Sequence, residues 1–319
     1  MNVDQFAQVF STLRTQLSHV VVGQRELVDG LLTCVFSGGH VLIEGAPGLG
    51  KTLVARSFAL LSGMAYKRIQ FTPDLMPSDI TGSSVLERQS NTFTFVPGPV
   101  FCQLLLADEI NRAPAKTQAS LLEAMQERQV TVDGMTRNLP APFTVVATQN
   151  PIESQGTYPL PEAQLDRFLF KLLVREPAAE VERTIVRNHV DGFDPTELRG
   201  VTPIIGPEHV LALQQIARAV RVDDAVIAYI VEIVRKSRED RAIEVGASPR
   251  ASISLARAAQ VVAASEGRDF VTPDDVKPLA LAALRHRITL HADAQLQGIA
   301  ADERITDIIR ATAVPRIGP

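Results

Sequence analysis

The 319-residue chain has only two cysteines, Cys34 and Cys102, both in apolar stretches. That speaks against a disulfide framework and for buried thiols in a reducing compartment. Its six histidines are scattered without metal-ligand spacing, so no zinc centre is expected. No apolar run approaches about 18 residues, and no membrane-spanning helix is expected. The opening residues, Met1-Asn2-Val3-Asp4-Gln5, lack the basic and apolar segments of a secretory signal, which predicts a cytoplasmic protein. Surplus basic charge is missing too. A balance of 32 Lys and Arg against 36 Asp and Glu leaves a net charge of −4, no field to recruit nucleic acid or anionic lipid. Neither an internal repeat nor a low-complexity tract is present.

What the chain does have is an ordinary globular composition, 45% hydrophobic and 21% charged, over a length that suggests two domains. Its most informative segment is Gly45-Ala46-Pro47-Gly48-Leu49-Gly50-Lys51-Thr52. The spacing G-x-x-x-x-G-K-T follows an apolar run, His40–Glu44, and opens a helical pattern from Leu53 to Leu61. This is the strand–loop–helix setting of a phosphate-binding loop. Glycines let successive backbone N–H groups turn inward on a triphosphate, and the helix start adds its positive dipole end. Lys51 is expected to neutralise the β- and γ-phosphates and the Thr52 hydroxyl to ligate Mg²⁺. Nucleotide contacts are therefore expected from Gly45 through Leu53, with ATP and Mg²⁺ as the bound species.

Gln103-Leu104-Leu105-Leu106-Ala107-Asp108-Glu109 reads as a buried strand ending in two carboxylates. Parallel sheets present ligands at the carboxyl ends of their strands, so Asp108 and Glu109 should emerge beside the phosphates. One carboxylate can hold Mg²⁺ and its neighbour can orient and deprotonate the attacking water. On this reading Asp108 serves the metal with Thr52, and Glu109 is the base. Two acidic residues closing a solvated strand would be the plainer alternative.

Strand runs at Val41–Glu44, Tyr66–Phe71, Cys102–Asp108, Phe143–Thr148 and Phe168–Val174 alternate with helical patterns, notably Lys51–Leu61 and Ala115–Glu127. That is the signature of a parallel α/β sheet. Two β-hairpins interrupt it. One pairs residues 83–86 with 92–95 around the tip Glu87–Asn91; the other pairs 129–132 with 135–138 around Asp133-Gly134, a strong turn signal. Phe93 and Phe95 in the first hairpin are expected to be packed. Beyond Pro177 the strand signal stops. Helical patterns follow at Ala178–His189, Pro207–Ala219, Asp223–Ser237, Ser248–Ala264 and Thr272–Ile288, with breaks at Pro195, Pro203 and Pro249. Residues 192–203 read as a linker. The expected division is an α/β nucleotide-binding domain over residues 1–195 and an all-helical lid over residues 196–319.

In this order of segments the chain resembles the MoxR-type ATPases of the AAA+ superfamily, P-loop proteins of the clade with a hairpin in the second helix. More distantly it resembles the magnesium-chelatase ATPase subunit. The resemblance rests on Gly45–Thr52, on Leu104–Pro114, on Ala147-Thr148-Gln149-Asn150-Pro151, on Leu160–Phe168, and on Gly246-Ala247-Ser248-Pro249-Arg250. It implies that Asn150 is the first sensor, holding the water with Glu109, although Asn-Pro is also a common turn pair. It implies that Val21, Val22 and Gln24 lie beside the adenine; a simple helix connection is the alternative. It implies that Arg167 is a finger reaching a neighbouring subunit's nucleotide, against the default of a local salt bridge to Asp166. Arg250 matches the second sensor, which touches the γ-phosphate from the lid. Ser248 is a good N-cap and Pro249 a good first helical residue, so Arg250 falls in a first turn where a cation opposes the dipole unless an anion lies nearby. Arg112 and Lys116 are further basic candidates at the subunit boundary.

The resemblance also implies a ring, a hexamer as relatives form, and chaperone-like remodelling or maturation of a protein client with metal or cofactor insertion among the options. A partner carrying a von Willebrand factor A domain is a further implication; its D-x-S-x-S motif is not found here, so the partner would be a separate chain. A nucleic-acid motor is the alternative function, disfavoured because the hairpin tips offer only Arg88 and Arg137 to a phosphate backbone. A non-hydrolysing ATP-binding scaffold is the other, disfavoured by the full set Asp108, Glu109, Asn150, Arg167 and Arg250.

Overall fold

The structure, a computed structural model, describes residues 2–88, 91–151, 157–194 and 202–315. Its strands in chain order are β1 (Val41–Gly45), β2 (Tyr66–Gln70), β3 (Gly82–Glu87), β4 (Thr92–Pro97), β5 (Leu104–Asp108), β6 (Gln129–Val132), β7 (Met135–Asn138), β8 (Thr144–Gln149), β9 (Phe170–Val174), β10 (Ile243–Val245) and β11 (Thr289–Leu290). The apolar runs form one parallel sheet in the order β2-β5-β8-β1-β9. Leu104–Ala107 and Val41–Ile43 are fully buried, as strands covered on both faces must be. Three strands, β5, β8 and β9, begin one or two residues later than the apolar runs suggest. Just before β5 the Gln103 side chain accepts from the Ala65 N–H and donates to the Ala141 carbonyl, while its backbone bonds to Ala65 and Thr144. Phe168 and Leu169 still belong to the turn before β9.

Both hairpins form, β3 with β4 and β6 with β7. The second has the expected register, whereas in the first Glu87 pairs with Thr92 and Ser83 with Val96, so the strands run one residue further towards the tip than expected. Asp133 (φ +53°) and Gly134 (φ +74°) supply the paired left-handed residues that a two-residue hairpin turn requires. Residues 89 and 90 of the first tip lie outside the described residues. The hairpins lean on each other, with the Arg137 guanidinium 3.9 Å over the Phe95 ring and Phe95 edge-on to Phe101. Phe95 is packed as expected. Phe93 is not: it is 75% exposed, because it faces outward opposite Leu86.

The C-terminal part carries the helices Pro207–Ala219, Asp224–Glu239, Pro249–Ser265 and Ala301–Ala311. It is not purely helical, since β10 and β11 pair antiparallel; strands of three and two residues are too short to leave a periodic trace. The pattern over 272–288 is not one helix either. It breaks into Pro273–Val276, the 3₁₀ turn Lys277–Leu279 and Ala280–Leu284, because Pro278 has no N–H to continue the ladder. The division placed at 195/196, the Pro195 break and most of the 192–203 linker lie outside the described residues. Around them the apolar core is continuous. The N-terminal helix Val3–Val20 buries Phe6, Phe10, Leu13 and Leu17 in a cluster that also holds Leu255, Ala258 and Ile308 of the C-terminal part. Among the described residues no helix is long and apolar enough to cross a membrane.

His40, just before β1, is fully enclosed and neutral. Its Nδ1 accepts from the Val145 N–H (2.9 Å) and its Nε2 lies 3.1 Å from the Met125 carbonyl. Burial pushes its pKa down from 6.5 to about 4. The unfolded chain takes up this proton first, so stability should fall as pH drops from 6.5 towards 4, by about 3 kcal/mol in full. Urea midpoints across that window check this; His40→Phe should show a shallower slope.

Candidate active site

β1 delivers the phosphate-binding loop at its carboxyl end, and the helix Lys51–Leu61 follows at once. Gly48 and Gly50 take φ +82° and +83°, which side-chain-bearing residues adopt only under strain. Gly45 is needed for a different reason: a Cβ there would lie 2.6 Å from the Val174 carbonyl oxygen of β9. Gly50 caps the helix without a side chain, so the first-turn N–H groups have no capping partner and face the loop. Lys51 folds back on the loop, donating to the Gly45 carbonyl and to Ala46 O at 2.9 Å. Burial lowers its pKa, opposed by Asp108, Glu109 and Glu44.

One cleft of about 360 Å³ gathers Pro47–Leu53 with Asp108, Glu109 and Asn150. Asp108 closes β5 and is 7% exposed. Its Oδ1 accepts from the Thr148 hydroxyl (2.5 Å) and its Oδ2 from Arg68 Nη2 (2.7 Å) and Nε (3.1 Å). Glu109 stands just past the strand at φ +56°, a left-handed non-glycine residue of the kind that collects at functional sites. The Thr148 hydroxyl accepts its N–H at 3.0 Å. Glu109 Oε2 accepts from Gln70 Nε2 (2.6 Å) and Arg112 Nη1 (3.0 Å). Asn150, 7% exposed, follows β8 into the same cleft.

Val21 reaches the loop from the other side; a Cβ on Gly50 would lie 3.4 Å from its Cγ1. Gln24 donates to the Arg175 carbonyl at 3.1 Å, just beyond β9. The segment Val21-Val22-Gly23-Gln24 is a helix connection, and it lies where the sheet's carboxyl end holds the phosphate loop.

Arg167 and Arg250 are elsewhere. Phe170, first residue of β9, is level with Val41, and the Leu169 N–H donates to His40 O at 2.8 Å. The turn carrying Arg167 therefore sits at the amino end of the sheet, about 13 Å of strand from the phosphate loop. Arg250 belongs to the same place. Its Nη1 lies 3.6 Å from Asp166 Oδ2, which also accepts from the Ser248 hydroxyl at 3.0 Å. Ser248 caps the helix Pro249–Ser265 as expected, accepting from the Arg250 N–H. The anion that offsets the misplaced cation is thus the Asp166 carboxylate, and Arg250 does not line the cleft of its own phosphate loop. Asp166 is not the partner of Arg167 either. It pairs with Arg287 at 2.7 Å, and no ion pair to Arg167 occurs among the described residues.

Residues 40–170 match the family described as ATPase family associated with various cellular activities (AAA), and residues 235–308 match the AAA lid domain. The chain is 43% identical over 316 residues to Chaperone MoxR1 of Mycobacterium tuberculosis, covering 95% of this chain and 81% of that one. It is 31% identical over 323 residues to Protein MoxR of Methylorubrum extorquens, covering 93% and 91%. A crystal structure described as that of an ATPase, from Cytophaga hutchinsonii, matches with a TM-score of 0.90 at 38% identity, over 98% of this chain and 97% of the other. The chain belongs to the MoxR family of AAA+ ATPases.

In this MoxR-family ATPase three site residues escape sequence reasoning. Arg68 and Gln70 alternate on β2, a pattern that by itself reads as the solvated side of an edge strand. Only the pairing of β2 with β5, which sets Gln70 opposite Asp108, brings them to the carboxylates. Thr148 stood in plain sight two residues before Asn150, but its hydroxyl meets Asp108 only because β8 lies beside β5.

Proposed function

We propose that this ATPase acts as a ring of identical copies in which each subunit lends Arg167 and Arg250 together to its neighbour's triphosphate. The observation that carries this is their placement. Arg167 is carried on the turn before β9 at the amino end of the sheet, without an ionic partner among the described residues. Arg250 reaches the same turn from the lid helix Pro249–Ser265 by pairing with Asp166, while the lining of the subunit's own cleft holds no arginine. Within the cleft, Lys51 and the loop N–H groups bind the phosphates, Glu109 takes the proton of the attacking water and Asn150 holds that water. Mg²⁺ fits the donor set, since the Thr52 hydroxyl and Asp108 carboxylate are hard oxygens lining the cleft, and Mg²⁺ binds through few protein oxygens plus phosphate. When bound it would neutralise charge on the β- and γ-phosphates.

The work driven is remodelling or maturation of a protein client, as the likeness to Chaperone MoxR1 suggests. The exposed Phe93, Leu86 and Met135 of the hairpins support a protein rather than a nucleic-acid partner. Arg137 is engaged on Phe95 and leaves the hairpins poor in free cations. A separate chain with a von Willebrand factor A domain and a six-membered ring remain part of this proposal.

Mixing subunits tests it. Arg167→Ala and Lys51→Ala, each inactive alone, should regain phosphate release when co-assembled, because a mixed interface pairs an intact loop with an intact finger. No recovery in rings of confirmed mixed mass would refute the shared site. Arg250→Ala should leave the affinity of its own loop for a fluorescent ATP analogue within about twofold of wild type when measured on dissociated subunits. A loss there beyond tenfold would return Arg250 to its own nucleotide.

A further inference from the structure

We propose that Arg287 is a positioning residue for Arg167: a lid guanidinium that clamps the turn carrying the finger, so that the lid of one subunit governs hydrolysis in the next. This rests on the reading of Arg167 as an arginine supplied across an interface. Arg287 follows the helix Ala280–Leu284, and its side chain is 2% exposed. Nε donates to Asp166 Oδ1 (2.7 Å); Nη1 donates to Leu169 O (3.2 Å) and Ala283 O (2.6 Å). Nη2 donates to Asp166 O (3.2 Å), Phe168 O (2.7 Å) and the Ser254 hydroxyl (3.1 Å). Both chain neighbours of Arg167 are therefore held from the lid, while Arg167 itself keeps no ionic partner among the described residues.

The neighbours of Arg287 add to the clamp. His286 Nε2 lies 3.0 Å from the Phe168 carbonyl, and Arg285 donates to Lys171 O at 3.3 Å while paired with Asp302. Burial and the adjacent Arg287 hold His286 neutral, so its ring N–H can serve that carbonyl. A buried guanidinium is tolerated only when its charge is paired and its donors are filled. Here the finger turn pairs the charge through Asp166 and takes most of the donors, and Ala283 O and the Ser254 hydroxyl of the lid take the rest. A planar fork with five donors suits the carbonyls of Asp166, Phe168 and Leu169 together with the Asp166 carboxylate, which an ammonium with three donors does not. An arginine acting on a phosphoryl group must be preplaced to well under an ångström. A clamp on both sides of it provides that, and it ties finger placement to the lid helix that bears Arg250.

Arg287→Lys keeps the charge and tests the fork. The expected result is kcat lowered at least about tenfold, with own-loop affinity for a fluorescent ATP analogue within about twofold of wild type. Rings co-assembled with Lys51→Ala should regain activity, since those neighbours bring intact fingers; rings with Arg167→Ala should not. Asp166→Asn, which removes the charge with little change of shape, should show the same pattern and serves if Arg287→Lys does not fold. Recovery with Arg167→Ala, or unchanged kcat in both variants, overturns the proposal. So does failure with Lys51→Ala while the Arg167→Ala and Lys51→Ala pair recovers. If that control pair itself fails, the interface reading falls and the clamp with it.

Discussion

Replacing Arg167 by alanine is expected to lower kcat by about 10³-fold or more, the range in which an arginine supplied to a phosphoryl-transfer site acts. The side chain makes no ion pair among the described residues, and its turn is held by backbone carbonyls and Asp166 rather than by Arg167. Folding should therefore be little affected. The phosphate loop lies at the other end of the sheet, so each subunit should bind an ATP analogue within about twofold of wild type. Phosphate release and analogue fluorescence, measured on the same preparation, check both halves. A fall in binding as large as the fall in turnover would show that Arg167 serves its own subunit.

Glu109→Gln should lower turnover by about 10²-fold or more while ATP stays bound, because an amide can hold the attacking water but cannot take its proton. The substitution is nearly isosteric. Gln70 can still bond to the side chain, and the lost ion pair to Arg112 is half-exposed and of small worth. The unusual φ of +56° is a property of the backbone between β5 and the 3₁₀ turn Ile110–Arg112, and glutamine meets the same strain as glutamate. Lys51→Ala, by contrast, should lose nucleotide binding itself. Turnover within a factor of three of wild type in Glu109→Gln would remove Glu109 from the role of base. The trapped ATP state would also be the form in which to capture a client.

Legibility followed the range of the interaction. The phosphate loop was legible because a strand, three glycines, a lysine and a threonine carry their function within eight residues. The second hairpin was legible for the same reason, since Asp133-Gly134 dictates its own turn. Ser248-Pro249 marked a helix start, and the cation in its first turn correctly implied an opposing anion. Sequence could not say that the anion is Asp166, 84 residues away, or that Arg250 consequently sits at the turn that carries Arg167 and not in the lining of its own cleft. Phe93 is exposed against expectation because alternation in a hairpin marks two faces without saying which one the body covers.

By itself, then, the sequence determined the nucleotide chemistry: the loop and the two carboxylates beside it follow from local spacing and from the rule that parallel strands end at their ligands. The sheet order β2-β5-β8-β1-β9 decided the rest. It set Arg68, Gln70 and Thr148 around Asp108 and Glu109, whereas the place of Arg167 at the start of a parallel strand, away from the phosphate loop, already follows from the sequence. The lid then decided how that turn is held, through a buried guanidinium at position 287 that pattern alone would leave on a solvated helix end. Contacts of this kind depend on segments more than a hundred residues apart meeting in a water-excluded place, and no local periodicity encodes such a meeting.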